Sequence, residues 1–238
     1  TCVAQFKLKA GEQVPFENAN LDNVHFLAWT TTPWTLPSNT ALTVGPKIDY
    51  VLVKSWNQYT HEPIEVILAK NLVGKQFAKK YTAVESADEL VYTKGDKKIP
   101  YQVIGECKGS DLEGIKYEQL LDYCQPYEDA DKAFVVIPGD FVTTEDGTGI
   151  VHTAPTFGAD DAMVAKAAGV PPMLILDENE TPVPLVDLQG RFRKELNDPI
   201  FGLGGEYVKA QYLEGNEAEE ELTIQREKLK DIIADLKA

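Results

Sequence analysis

Short apolar or alternating runs dominate the first part of the chain. CVAQFKL (residues 2–8) alternates, VHFLAWT (24–30) is mostly apolar, and YVLVKSW (50–56) and IEVILA (64–69) are rich in β-branched residues. Gly, Pro and Asn separate these runs, a pattern that predicts strands. YQVIGEC (101–107) and KAFVVIPG (132–139) continue it, and FVTTEDGTGIVHTAP (141–155) reads as a hairpin with its turn at Asp146-Gly147. Helical spacing is rarer. YEQLLDYC (117–124) predicts a short helix, and GADDAMVAKAAG (158–169) starts with acids and stops at Gly169, as a capped helix does. From about Glu217 the spacing of Leu222, Leu229, Ile232, Ile233 and Leu236 predicts an amphipathic C-terminal helix, acidic in its first turn and lysine-bearing near its end. That helix either packs on its own domain or is a stem leading into another. Strands outnumber helices, so the expectation is a β-rich α+β fold: an antiparallel barrel or sandwich with a few covering helices.

At 238 residues the chain is long enough to bury a sizeable core. No apolar run approaches the ~20 residues needed to cross a bilayer. The start, TCVAQFKLKAGEQ, lacks the regions of a signal peptide, which predicts a cytoplasmic protein with no membrane partner. Cys2, Cys107 and Cys124 form no C-x-x-C pair, and the only histidines are His25, His61 and His152, so neither a disulfide framework nor a metal site is expected. The absence of a P-loop, of G-x-G-x-x-G and of G-x-S-x-G argues against nucleotide hydrolysis, dinucleotide chemistry and a serine elbow. No cofactor is implied. A net charge of −15 is unfavourable for a nucleic-acid binder unless the chain touches only a small part of its partner.

Two stretches concentrate polar chemistry. WTTTPWTLPSN (29–39) places hydroxyls beside two prolines that lack an N–H. Residues before proline avoid the α region, so Thr32 and Leu36 are expected to be extended and the loop stiff. Thr30, Thr31, Thr32, Thr35 and Asn39 then offer fixed donors and acceptors suited to a sugar, an ester or a water. The competing reading is ordinary cross-strand pairing of threonines, which two prolines in one loop work against. In GTGIVHTAPTFGADDA (147–162), a strand over Ile150–Thr153 puts Ile150 and His152 on one face, and a helix opened by Gly158 leaves Asp160 and Asp161 in its first turn. The helix dipole favours a carboxylate there, suited to gripping an ammonium group, and His152 and Asp161 are candidates for one pocket. The competing readings are a routine capping acid and a core histidine.

Taken together, WTTTPWTLPSN and GTGIVHTAPTFGADD, in this order and about 120 residues apart, resemble the editing domain of isoleucyl-tRNA synthetases, the insertion called the connective polypeptide. The likeness runs from about Val24 to Tyr212. Valyl and leucyl relatives typically carry an arginine before the proline, where this chain has Thr32, which favours the isoleucyl member. The aminoacylation signatures HIGH and KMSKS are absent. The resemblance implies an antiparallel β-barrel core. It also implies one editing domain over residues 1–238, with a core at about 20–215, an N-terminal strand and linker at 1–19 and the C-terminal helix at 216–238. The implied activity is hydrolysis of misacylated valyl-tRNA(Ile). In that family the partners are the 3′ end of the tRNA and the rest of the synthetase, and the isolated domain is expected to be monomeric. By resemblance Asp161 binds the α-ammonium, His152 shapes the side-chain pocket, and Thr31 and Thr32 position ester and water. Thr30 and Asn39 support the loop, Thr35 is counted with them among the substrate-binding residues, and Trp29, Trp34, Gly147, Thr148 and Gly149 wall the terminal adenosine. Two alternatives stand beside this reading: a valyl-type domain acting on threonyl-tRNA, and a catalytically silent module that binds the tRNA end.

Overall fold

A computed structural model describes residues 1–196 and 202–208. It divides into two compact units. The amphipathic helix expected from Glu217 lies outside the described residues.

The first unit comprises residues 1–31, 41–119 and 134–153. Its larger sheet has six strands: β1 (Cys2–Lys7), β2 (Val24–Thr30), β4 (Asp49–Trp56), β5 (Pro63–Ala69), β6 (Tyr81–Ala83) and β7 (Ile99–Lys108), in the order β1-β2-β5-β4-β7-β6. A second sheet has β3 (Ala41–Val44) between β8 (Val135–Pro138) and β9 (Ile150–Thr153). The near-continuous apolar runs of β4 and β5 are explained by burial on both faces. Val51, Val53, Val66 and Leu68 pack with Leu27, Val73 and Phe77 on one side, while Tyr50, Leu52 and Ile67 are fully buried as well. β1 alternates because every second residue is buried. A short helix, α1 (Val73–Gln76), follows β5.

Three expectations need correction. The sheets are not purely antiparallel: β2 pairs with β5, β3 with β8 and β6 with β7 in parallel. Each parallel pair is joined by a long connection, the geometric requirement for parallel pairing. Among the described residues these ladders form open sheets and not one ladder closed on itself. The hairpin expected over 141–155 is also absent, because β9 pairs antiparallel with β3, and β8 takes the other edge of β3. Asp146-Gly147 still lies at a turn, with φ +75° at Gly147, but the turn joins an irregular segment to a strand. Residues 117–124 form no helix. Tyr117 instead bridges Leu8, its N–H donates to the Phe134 carbonyl, and its ring meets Phe6 edge-on at 5.3 Å. Burying that ring outweighs a weak local propensity.

The second unit comprises residues 32–40, 120–133 and the described residues from 154 onward. It holds a 3₁₀ helix at Pro33–Ser38, helix α2 (Ala159–Ala167) and a two-stranded ladder of β10 (Leu174–Leu176) with β11 (Pro182–Pro184). α2 starts and stops where the sequence places it, with Gly158 as N-cap and Gly169 left-handed at φ +70° just beyond its end.

Candidate functional site

The threonine stretch divides at its third threonine. Thr30 is the last residue of β2, opposite Cys2, and is buried; Thr31 is exposed and closes the first unit's segment. Thr32 opens the second unit's segment as the N-cap of the 3₁₀ helix. Leu36 is not extended: it lies inside that helix, which also admits Pro37. Pro33 sits at the first helical position, where its missing N–H costs nothing and its fixed φ suits the turn. The Thr32 carbonyl accepts both the Thr35 N–H at 3.0 Å and the Thr35 hydroxyl at 2.8 Å, and Asn39 N–H donates to Leu36 at 3.0 Å. Thr35, Asn39 and the intervening residues are buried, while Trp34 is half-buried. The stretch is therefore a short 3₁₀ helix that carries local hydrogen bonds, where an extended loop was expected.

The Gly147-Thr148-Gly149 turn is held from further away. Its three successive carbonyls accept, in order, the Gln76 side-chain amide at 2.8 Å, the Ala69 N–H at 2.8 Å and the Tyr50 hydroxyl at 2.5 Å. Tyr50 also accepts the Gly45 N–H at 3.0 Å, and burial pushes its pKa up, which keeps the hydroxyl a donor. Gly149 has φ +74°, and a Cβ there would lie 2.3 Å from the Ala69 Cβ. Gly147 lies against Trp29, whose Cε3 would be 3.1 Å from an added Cβ. Trp29, 37% exposed, and the turn are thus neighbours within the first unit. Thr148 is buried, its hydroxyl donating to Ile150 at 3.3 Å. Tyr50 and Gln76, which fix this turn, carry no local motif that would have singled them out.

β9 presents His152 opposite Leu42 of β3. The imidazole is buried, and desolvation lowers its pKa to about 4, so it is neutral near pH 7. Thr153, on the other face of β9, shares a 2.6 Å hydroxyl–hydroxyl hydrogen bond with Thr43 of β3. In the second unit Asp161 is the third residue of α2, and its Oδ2 accepts the Ala154 N–H at 2.7 Å. Burial raises its pKa, the Ala154 N–H opposes the rise, and neighbouring Asp160 adds to it. The helix start therefore does not by itself hold this acid low, contrary to a reading from the dipole alone. Its other oxygen, Oδ1, accepts no hydrogen bond from a described residue.

A cavity of 490 Å³ in the second unit, lined by Tyr127, Asp129, Pro155, Ala162, Lys166 and Val170 among others, contains none of the candidate site residues expected from the sequence. Among the described residues no group of three or more His, Cys, Asp or Glu is placed to hold a metal, and no helix is long and apolar enough to cross a membrane. Burial pushes the thiols of Cys107 and Cys124 up to about 12 and about 11, which removes thiolate chemistry at neutral pH.

No family model matches the chain. Among curated proteins it is 54% identical over 221 residues to the isoleucine–tRNA ligase of Cytophaga hutchinsonii, covering 93% of this chain and 18% of that protein. It is 47% identical over 233 residues to the isoleucine–tRNA ligase of Porphyromonas gingivalis, covering 93% of this chain and 20% of that protein. The chain thus spans about a fifth of the length of these curated relatives. Among solved structures it resembles the crystal structure of GlLeuRS-CP1, with a TM-score of 0.50 at 18% identity, covering 95% of this chain and 83% of that one. That likeness concerns the fold alone, a strand-rich mixed α+β arrangement with few helices. Sequence and fold together identify the chain as a homologue of one segment of isoleucyl-tRNA synthetases, resembling the CP1 editing domain of aminoacyl-tRNA synthetases.

Proposed function

We propose that this segment, acting as one editing domain, hydrolyses the ester of misacylated tRNA(Ile), releasing valine from valyl-tRNA(Ile) and sparing isoleucyl-tRNA(Ile). The observation that carries the proposal is the state of Asp161: Oδ2 is fixed by the Ala154 N–H, and Oδ1 is left for a ligand's ammonium. His152, neutral and buried, serves as a shaped wall that limits side-chain size. A second site of this kind is needed because one methylene in an apolar pocket changes binding by only ~1–3 kcal/mol.

Thr31 and Thr32 position the ester and the attacking water, with Thr30, Thr35 and Asn39 stiffening the stretch, and Trp29, Trp34 and the Gly147–Gly149 turn receive the terminal adenosine. Water adds to the ester carbonyl, the bond to the ribose oxygen breaks, and the water's proton ends on that oxygen, so amino acid and tRNA leave without an acyl-enzyme. Orientation and hydrogen bonding to the developing oxyanion supply the rate. The domain receives the tRNA at its 3′ end, and most phosphate contacts belong to other parts of the synthetase, which accords with the net charge of −15. The cytoplasm follows as its location.

The test is release of radiolabelled amino acid from valyl-tRNA(Ile) and isoleucyl-tRNA(Ile). The chain releases valine at least tenfold faster than isoleucine, and Asp161→Ala lowers valine release by 100-fold or more. Equal turnover by that variant would remove Asp161 from the site, and threonine release in preference to valine would point to the valyl-type reading.

A further inference from the structure

The acidic balance of the chain is interrupted over one long stretch. Residues 66–84 carry four lysines, at positions 70, 75, 79 and 80, and no acid. Lys70 and Lys75 are paired with Glu106 and Asp146 at 2.6 and 3.4 Å. Lys79 and Lys80 have no carboxylate within ion-pair distance among the described residues, and both are exposed. Strand pairing brings them two more. β6 and β7 run parallel with Tyr81 opposite Ile99, so Lys79-Lys80 and Lys97-Lys98 enter the ladder side by side. The Lys80 carbonyl accepts the Ile99 N–H at 2.8 Å, and the Lys98 ammonium donates to the Lys79 carbonyl, tying the two pairs together. Lys97 and Lys98 are exposed and also lack a carboxylate partner among the described residues. Two of the acids near them in sequence are turned elsewhere: Asp96 accepts the Thr93 N–H, and Glu89 accepts the Glu85 and Ser86 N–H groups.

Four unneutralised ammonium groups at one sheet edge, in a protein of net charge −15, form a local site for a polyanion. We propose that Lys79, Lys80, Lys97 and Lys98 bind the phosphate backbone of the tRNA strand whose 3′ end is edited, a proposal that rests on the deacylase reading above. The chain segment between them and the candidate site supports this partner. Gln76, three residues before Lys79, holds the Gly147 carbonyl of the turn assigned to the terminal adenosine, and Lys75 donates to the Glu145 carbonyl just before it. Lysine binds phosphate as a flexible point charge, so this contact positions the strand without reading its sequence.

The test compares the chain with a variant carrying Lys79→Gln, Lys80→Gln, Lys97→Gln and Lys98→Gln, and with a control carrying Lys9→Gln and Lys47→Gln. Binding of tRNA(Ile) is followed by fluorescence anisotropy across a salt series. Each lost phosphate contact removes about 0.7 to 0.9 from the slope of log affinity against log salt, so the fourfold variant flattens it by about 3. In deacylation, its KM for valyl-tRNA(Ile) rises by about tenfold at unchanged kcat, and turnover of 3′-valyl-adenosine, which has no phosphate strand, is unaltered. A slope indistinguishable from the control's overturns the proposal, including the case where the variant self-associates because the lysines only guard an edge strand. If the unsubstituted chain leaves both valyl esters intact, the deacylase reading fails, and the salt slope still decides the lysine site on its own.

Discussion

The two polar motifs are held by opposite means. The threonine stretch is held locally, with prolines at its first and fifth helical positions and hydrogen bonds spanning three residues, from Thr35 to Thr32 and from Asn39 to Leu36. The Gly147–Gly149 turn is held at a distance: its carbonyls are taken by Gln76, Ala69 and Tyr50, which lie 71 to 99 positions away. A locally bonded motif sets the path of its own backbone, and burial of Pro33 and of Thr35 to Asn39 adds packing from outside it. A remotely held one depends on the six-stranded sheet being assembled.

Substitutions at matched positions test that difference. Gly149→Ala should be the most damaging, because an L-residue at φ +74° costs about 1–2 kcal/mol and its Cβ would overlap Ala69, adding a further 1–3 kcal/mol or so. Denaturant unfolding should show a loss of about 3 kcal/mol, and a loss under 1 kcal/mol would mean that the turn yields independently of the sheet.

The second experiment uses pH. His152 is neutral with a pKa of about 4 in the folded chain against 6.5 for the free side chain, so the unfolded state binds the extra proton. Stability is unaffected above about pH 6.5, falls as pH drops from there towards about 4, and levels off for this group below that. The loss is roughly 3 kcal/mol from the size of the shift. Replacing His152 by Gln should abolish that part of the pH profile; an unchanged profile would assign it to the carboxylates.

Thr35→Val should have the smallest effect on stability. It removes one hydroxyl bond to the Thr32 carbonyl, which keeps the Thr35 N–H, for a cost of about 1 kcal/mol. Denaturant unfolding checks this, and a loss above about 2 kcal/mol would mean that the Thr35 hydroxyl does more than cap the Thr32 carbonyl.

The same contrast separates what was legible in the sequence from what was not. The periodic runs of β1, β2, β4, β5 and β7 and the capped helix α2 were readable, because each rests on a local pattern of burial and capping. The strand Ile150–Thr153 and the placement of Asp161 in the first turn of α2 were readable for the same reason. Strand partners were not. β9 looks like half of a hairpin, but its partner is β3, about 110 positions earlier, and alternation does not encode the direction or identity of a neighbour. The prolines of the threonine stretch misled in a subtler way: they exclude a long α-helix, yet a six-residue 3₁₀ helix accepts one at its start and one inside. Asp161 shows the limit for electrostatics. Its position was legible, but the burial and the neighbouring Asp160 that raise its pKa required coordinates.

The occupied carbonyls of Gly147, Thr148 and Gly149 have a consequence for how the turn responds to damage elsewhere. All three residues are buried, and each acceptor oxygen is tethered to a different segment: α1, the end of β5 and the start of β4. Loss of one tether leaves a buried acceptor unpaired, at a cost of about 1–3 kcal/mol, while the other two still fix the path of the chain.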